Sequence, residues 1–240
     1  MRFFKAFALA FNMLTILPFF KVHDFYKGIN GASAMFYPLI GFLLGSLLWA
    51  VHTFLEPYVP QTHLAVILFG LWVTLTGALH LDGFSDTMDG LFVSKEKALE
   101  VMKDSHVGGM GMIFTLVFLL LKLSSLIHLE ALYLLPLILM LSRFNALLAI
   151  YFYPYVSGGV GRLIKEELTL LHLLFATLFA VVVLYFFSCT WLILVSGLTL
   201  ILTAKFFVSR LGGLNGDIYG FTIELSELVL LNAFIIQGFS

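Results

Sequence analysis

The chain is 240 residues long, 61% hydrophobic and 11% charged, with a formal net charge of −1. A soluble domain carries roughly 25% charged residues, so with a mean hydropathy of +1.04 this is the composition of an all-α, polytopic membrane protein. The balanced charge argues against nucleic-acid binding, which needs a basic face, and the single cysteine, Cys189, leaves no disulfide within one chain and no Cys-based metal site.

In chain order, residues 6–20 form a first apolar stretch, with Arg2 and Lys5 before it and Lys21 and Lys27 after it. Both ends therefore favour the cytoplasmic side. The stretch is short, carries Asn12, Thr15 and Pro18, and shows no small-x-small cleavage site before Pro18. It reads as a retained interfacial or re-entrant helix, with an eighth span as the alternative. A crossing needs about 20 apolar residues, and six or seven stretches qualify: 33–55, 63–81, 110–127, 132–153, 168–187, 190–207 and 222–236. A turn near Ser188 and Cys189 separates the fifth from the sixth. The loops at 21–32, 82–109, 154–167 and 208–221 hold Lys21, Lys27, Lys95, Lys97, Lys103, Arg162, Lys165 and Arg210, whereas 56–62, 128–131 and 188–189 have no Lys or Arg. The first set is then cytoplasmic. No linker interrupts residues 1–240, so one domain is expected, with its polar chemistry on the cytoplasmic face of the membrane.

The second span runs into His80-Leu81-Asp82-Gly83-Phe84-Ser85-Asp86-Thr87-Met88-Asp89-Gly90. As a continuing helix, Asp82, Asp86 and Asp89 share one face at i, i+4 and i+7. No Lys or Arg is interleaved, and each acid near the membrane costs up to about 2.5–3.5 kcal/mol. A hard divalent cation, Mg²⁺ or Mn²⁺, compensates such a stripe; a solvated helix end is the plainer alternative. Lys95, Glu96, Lys97 and Glu100 read as a solvated, mixed-charge turn. Asp104 is a further metal ligand or an acid partner. Gly108, Gly109 and Gly111 either open backbone N–H groups to phosphate or pack helices. Gly41 and Gly45 read as a packing pair.

Further along, Lys122 is expected to snorkel outward, with no role. Arg143 should face the bundle interior, to grip a phosphate or neutralise a glutamate. The loop at 157–161 is Gly-rich and flexible. Asp217, Glu224 and Glu227 share a helix face; they complete the metal site or serve as base or substrate ligands, or else Asp217 is an N-cap and the glutamates pair with Arg143. His80 and His106 are substrate contacts or structural. No Ser-His-Asp arrangement, HExxH or phosphate-binding P-loop occurs, leaving a divalent-metal site acting on phosphates.

Gly77-Ala78-Leu79-His80-Leu81-Asp82-Gly83-Phe84-Ser85-Asp86-Thr87-Met88-Asp89-Gly90 resembles the signature of cobalamin synthase, the adenosylcobinamide-GDP ribazoletransferase family. Residues 11–18, Met102-Lys103-Asp104-Ser105 with Gly108 and Gly111, and Gly212-Gly213-Leu214-Asn215-Gly216-Asp217 before Glu224 and Glu227 are similar to further pieces of that family in the same order. The chain departs at Asn215, where the family often has Thr, and at Val107-Gly108-Gly109-Met110-Gly111, where it often has Ile-Gly-x-x-Gly. The resemblance implies a membrane enzyme that joins adenosylcobinamide-GDP to α-ribazole, or its 5′-phosphate, and releases GMP with Mg²⁺ as cofactor. It implies Asp82, Asp86, Asp89 and Asp104 as catalytic and metal-binding residues. His80, Lys103, His106, Arg143, Asp217, Glu224 and Glu227 would bind substrate. The 5′-hydroxyl (or phosphate) of the ribazole would attack in line. Membrane lipid is the surrounding partner, nucleic acid is not one, and a large corrinoid is compatible with a homo-oligomer.

Two other readings use the same acids. A phosphotransferase for CDP-alcohols also places an Asp array at a helix end, but with longer spacing and an Ala-Arg pair that is absent here. A transporter would use membrane acids for ion coupling, yet these acids gather at one face.

Overall fold

The computed structural model describes residues 1–104 and 106–238. Ser105, part of one matching motif, lies outside the described residues. Among the described residues twelve α-helices run in chain order, and the only strand-like pairing is the bridge between Tyr155 and Leu214. Five segments are long and apolar enough to cross a bilayer: Ile29–Leu55, Gly109–His128, Leu132–Phe152, Leu192–Leu211 and Gly216–Ile236. Two bent pairs, Gln61–Leu75 with Leu79–Leu91 and Val160–Glu167 with Leu170–Phe186, raise the count to seven if each is one span. The polytopic all-α expectation holds.

The centre of the bundle is α8 (Leu135–Phe152), largely apolar and buried along nearly its whole length. Packed on it are α3 (Tyr37–Leu55), α10 (Leu170–Phe186), α11 (Leu192–Leu211) and α12 (Gly216–Ile236). Gly41 and Gly45 are the packing pair expected: a Cβ on either would run into the backbone of α8 at Leu139 or Leu135. Asn145 ties three helices together, donating to the Ser196 carbonyl at 3.1 Å and to Ser226 Oγ at 2.8 Å. Such side-chain bonds hold helices together where lipid offers no hydrophobic contrast. On α7 (Gly109–His128), Met112, Ile113, Leu116, Val117, Leu120 and Leu121 are exposed on one face, and α10 shows a similar row. Rows of large apolar side chains of this kind suit a hydrocarbon surrounding.

The first segment is α1 (Arg2–Leu14), with Ala6, Ala8, Ala10 and Leu14 buried and Phe3 and Phe4 exposed. Thirteen residues reach about 20 Å, short of the roughly 30 Å hydrocarbon core. An interfacial helix fits and an eighth span does not.

The second expected span differs from its reading. Helix α4 (Gln61–Leu75) stops, and α5 (Leu79–Leu91) leaves at 83° to it. Gly77 and Ala78 both take left-handed φ, +61° and +54°, which a continuing helix cannot accommodate. If α4 crosses the membrane, α5 runs along it, outside the spanning segment. The loop at 154–167 is likewise more than a loop: it contains α9 (Val160–Glu167), set at 94° to α10. The turn expected near Ser188 is present, with Ser188 at φ +55°.

Lys122 overturns the snorkelling expectation. It is buried on α7, donates to Glu224 at 2.6 Å and to Glu227, and sits 4.3 Å from the Trp72 ring centroid. Arg143, also buried, pairs with Glu227 and donates to Ser142 Oγ at 2.8 Å. Two cations and two acids therefore compensate one another inside the bundle. Left alone, each would be costly.

Candidate active site

The site begins at the bend. Ile16 N–H donates to the Leu75 carbonyl at 2.9 Å, holding the segment after α1 against the end of α4. Beyond the bend, α5 lies along α12 at close range because glycines meet there. A Cβ on Gly83 would stand 2.9 Å from the Asp217 carbonyl oxygen, and one on Gly220 would stand 3.0 Å from that of His80. Phe84 stacks on Phe221 with centroids 5.0 Å apart. Arg210, at the end of α11, donates to the Leu91 and Val93 carbonyls at 3.0 and 2.8 Å, holding the far end of α5. The crossing brings the Asp82–Asp86 face of α5 to the start of α12.

That start is set by Asn215, whose Oδ1 accepts from Ile218 N–H at 2.9 Å as the N-cap. Its Nδ2 donates to Asp217 Oδ2 at 2.8 Å. Asp217 is thus not the cap; it is a carboxylate oriented by the cap. The neighbouring loop is latched on by Val156 N–H to Leu214 O and Leu214 N–H to Pro154 O, and Tyr155 stacks on Tyr219.

Electrostatics single out Asp86. Burial first, and then the charges of Asp82, Asp217 and Asp89, push its carboxyl up to about 7. Neither Asp82 nor Asp86 has a basic partner among the described residues. Lys103 is the cation whose charge reaches Asp217, from an exposed position. His80 is buried and lies within reach of the charges of Arg143, Glu227 and Lys122.

Asp89 shares the helix face but not the cluster. Its carboxylate accepts from Gly108 N–H and Gly111 N–H, both at 2.7 Å, and so closes the N-terminus of α7. Those glycines leave no room for a Cβ beside it. Their N–H groups are given to Asp89, which decides between the phosphate and packing alternatives as far as these atoms go. Asp104 is exposed and accepts from His106 N–H at 3.0 Å, with His106 Nδ1 2.7 Å away. The structure does not bring these two beside Asp82. Nor does it bring Glu224, Glu227 or Arg143 there; their charges are spent on one another and on Lys122.

Three hollows meet around this arrangement. One of about 300 Å³ lies between α1, α3, α5, α8, α9 and α12, with Asp82 and Asp217 on its wall. An open cleft of about 360 Å³ between α5 and α7 also has Asp82 on its wall. A third, of about 450 Å³, is lined by Asp89, Asp104 and His106. Asp82 stands between the first two, and a residue in that place can address two different molecules.

Among the described residues no three of His, Cys, Asp and Glu are gathered into a ready metal-holding group. What suits a hard divalent cation is the donor chemistry: Asp82, Asp86 and Asp217 are carboxylates whose mutual repulsion no described side-chain cation among their hydrogen-bond and ion-pair partners relieves. The positioning roles of Asn215 and Arg210 differ in how far the sequence marks them. The N-cap pattern of an Asn ahead of an apolar run marks the first; nothing local marks the second.

Residues 6–235 match the model of the family described as cobalamin-5-phosphate synthase. The chain is 38% identical to the adenosylcobinamide-GDP ribazoletransferase of Desulfitobacterium hafniense (strain Y51), over 94% of this chain and 95% of the relative. It is 38% identical to that of Desulforamulus reducens, over 93% of each, and 33% identical to that of Acinetobacter baumannii (strain ACICU), over 97% and 98%. No solved structure matches. The chain belongs to the cobalamin-5-phosphate synthase family.

Proposed function

We infer that this family member joins adenosylcobinamide-GDP to α-ribazole, or to α-ribazole 5′-phosphate, releasing GMP, at the cytoplasmic face of the inner membrane. The names of its relatives support the substrates, and the positive-inside pattern of the loops supports the orientation. The observation that carries the chemistry is the gathering of Asp82, Asp86 and Asp217 without an ion-pair partner among the described residues, with Asp82 standing between two hollows.

Asp82 and Asp86, with Asp217 opposite, would hold Mg²⁺. When bound, it would neutralise the diphosphate and the charge developing on the departing GMP. A ribazole oxygen forms a bond to the phosphorus that carries cobinamide, and the bond from that phosphorus to the GMP oxygen breaks. This nucleophile is not O5′. The 5′-phosphate form yields a product that keeps its phosphate, so a ribose ring hydroxyl is the group common to both substrates. Asp217, fixed by Asn215 and lining the smaller hollow, is placed to take that hydroxyl's proton. Lys103, whose charge is felt at Asp217 from the rim, meets the phosphates.

The test is GMP release by purified protein in lipid nanodiscs, with and without Mg²⁺. Asp82→Asn, Asp86→Asn and Asp217→Asn should each lower turnover by about 10²-fold or more, and Asp104→Asn by far less. Near-wild-type turnover in the first three would end this mechanism.

A further inference from the structure

The hollow of about 300 Å³ has a feature the chemistry above does not use. It is mostly apolar, with Leu14, Ala146, Ile150 and Ile164 on its wall. Two of its lining residues nevertheless carry buried polar atoms without a hydrogen-bond partner: His80 Nδ1 and the Tyr219 hydroxyl. His80 is 4% exposed and Tyr219 7%. A buried donor or acceptor left unpaired costs about 1–3 kcal/mol, and both atoms belong to residues on the wall of this one cavity.

We propose that this cavity seats the base of the incoming nucleoside, a flat, weakly polar fused-ring heteroaromatic held by His80 and Tyr219, with its sugar directed to Asp82 and Asp217. The assignment rests on the transferase reading and says where its smaller substrate sits. Size and polarity select among the groups of the two substrates. The volume is at the low end of ligand pockets, about 300–1,000 Å³, which excludes a corrin macrocycle. Guanine has polar groups around its edge and would need more partners than two atoms supply. A benzimidazole has one free ring nitrogen, and its hydrocarbon faces match the apolar wall. The acids lie on the same wall, so a base seated here leaves its ribose at the carboxylates. The Gly-rich start of α9 closes one side, with Val160 half exposed at the edge.

Wild-type protein in nanodiscs is titrated with α-ribazole, with bare 5,6-dimethylbenzimidazole and with GDP, beside Tyr219→Phe and Val160→Trp. Both variants should weaken α-ribazole and bare-base binding about tenfold or more and leave the GDP affinity within about twofold. Unchanged α-ribazole affinity in Val160→Trp, or an equal loss of GDP binding, overturns the assignment. A wild-type arm is independent of how the variants fold: an azidobenzimidazole riboside should photolabel peptides of α5, α8, α9 or α12, and labelling confined to other helices overturns it. Failure of wild-type protein to release GMP would instead count against the transferase reading, since base binding is measured without turnover.

Discussion

At the scale of single residues, the site turns on how each carboxylate is matched. Asp86 has a folded-state value raised to about 7 from 3.8. Its protonated form therefore favours the folded state, fully so at low pH, and that contribution is lost as pH climbs through roughly 4 to 7. Metal-free protein should lose thermal stability over this window, Asp86→Asn should flatten the slope, and saturating Mg²⁺ should reverse it. Melting curves in detergent read all three, and a slope indifferent to Asp86→Asn would refute the assignment. Lys122 makes the opposite case, a charge whose worth lies wholly in its neighbours. Lys122→Met leaves Glu224 and Glu227 short of a buried cation and should cost about 3–5 kcal/mol, part of it regained in Lys122→Met/Glu224→Gln. Equal stability of single and double variants in denaturant melts would contradict this. The Asp82, Asp86, Asp89 spacing and the inward Arg143 were legible in the sequence, because helical period and the cost of membrane charge are local rules. The pairing of Lys122 was not, since it depends on α12, about a hundred residues away in sequence. Nor was the turning of Asp89 away from its neighbours, which needed the start of α7 to be placed.

At the scale of elements, apolar length located the crossings well, because about 20 residues of hydrocarbon are required wherever a helix spans. It could not locate the bend. Hydropathy carries no record of backbone direction, so His80 and Asp82 read as the tail of a span when they begin a separate helix. Gly77 marked the break, since glycine adopts left-handed φ without strain. The close crossing of α5 and α12 was similarly hidden in two ordinary-looking glycines. Gly83→Ala and Gly220→Ala should push these helices apart by a few tenths of an ångström or more. Displacing Asp82 and Asp217 in this way should lower ligation on the order of 10²-fold, while the helical circular dichroism signal stays unchanged. Full activity in both would mean that the spacing of this crossing does not matter.

At the scale of the whole molecule, α8 and its neighbours form a largely apolar frame, and Asp82, Asp86 and Asp217 sit where α5 and α12 meet at its end. Among the described residues, the ionic knot inside the frame joins Lys122, Arg143, Glu224 and Glu227 into a set whose charges sum to zero. Each elementary charge moved through the membrane field is worth about 2.3 kcal/mol per 100 mV. A balanced set that stays put does no such work. Energising the cell should therefore neither speed nor stall this protein: in sealed vesicles, turnover with a potassium diffusion potential imposed should match turnover without it. The bundle behaves as an electrical insulator around its own ions.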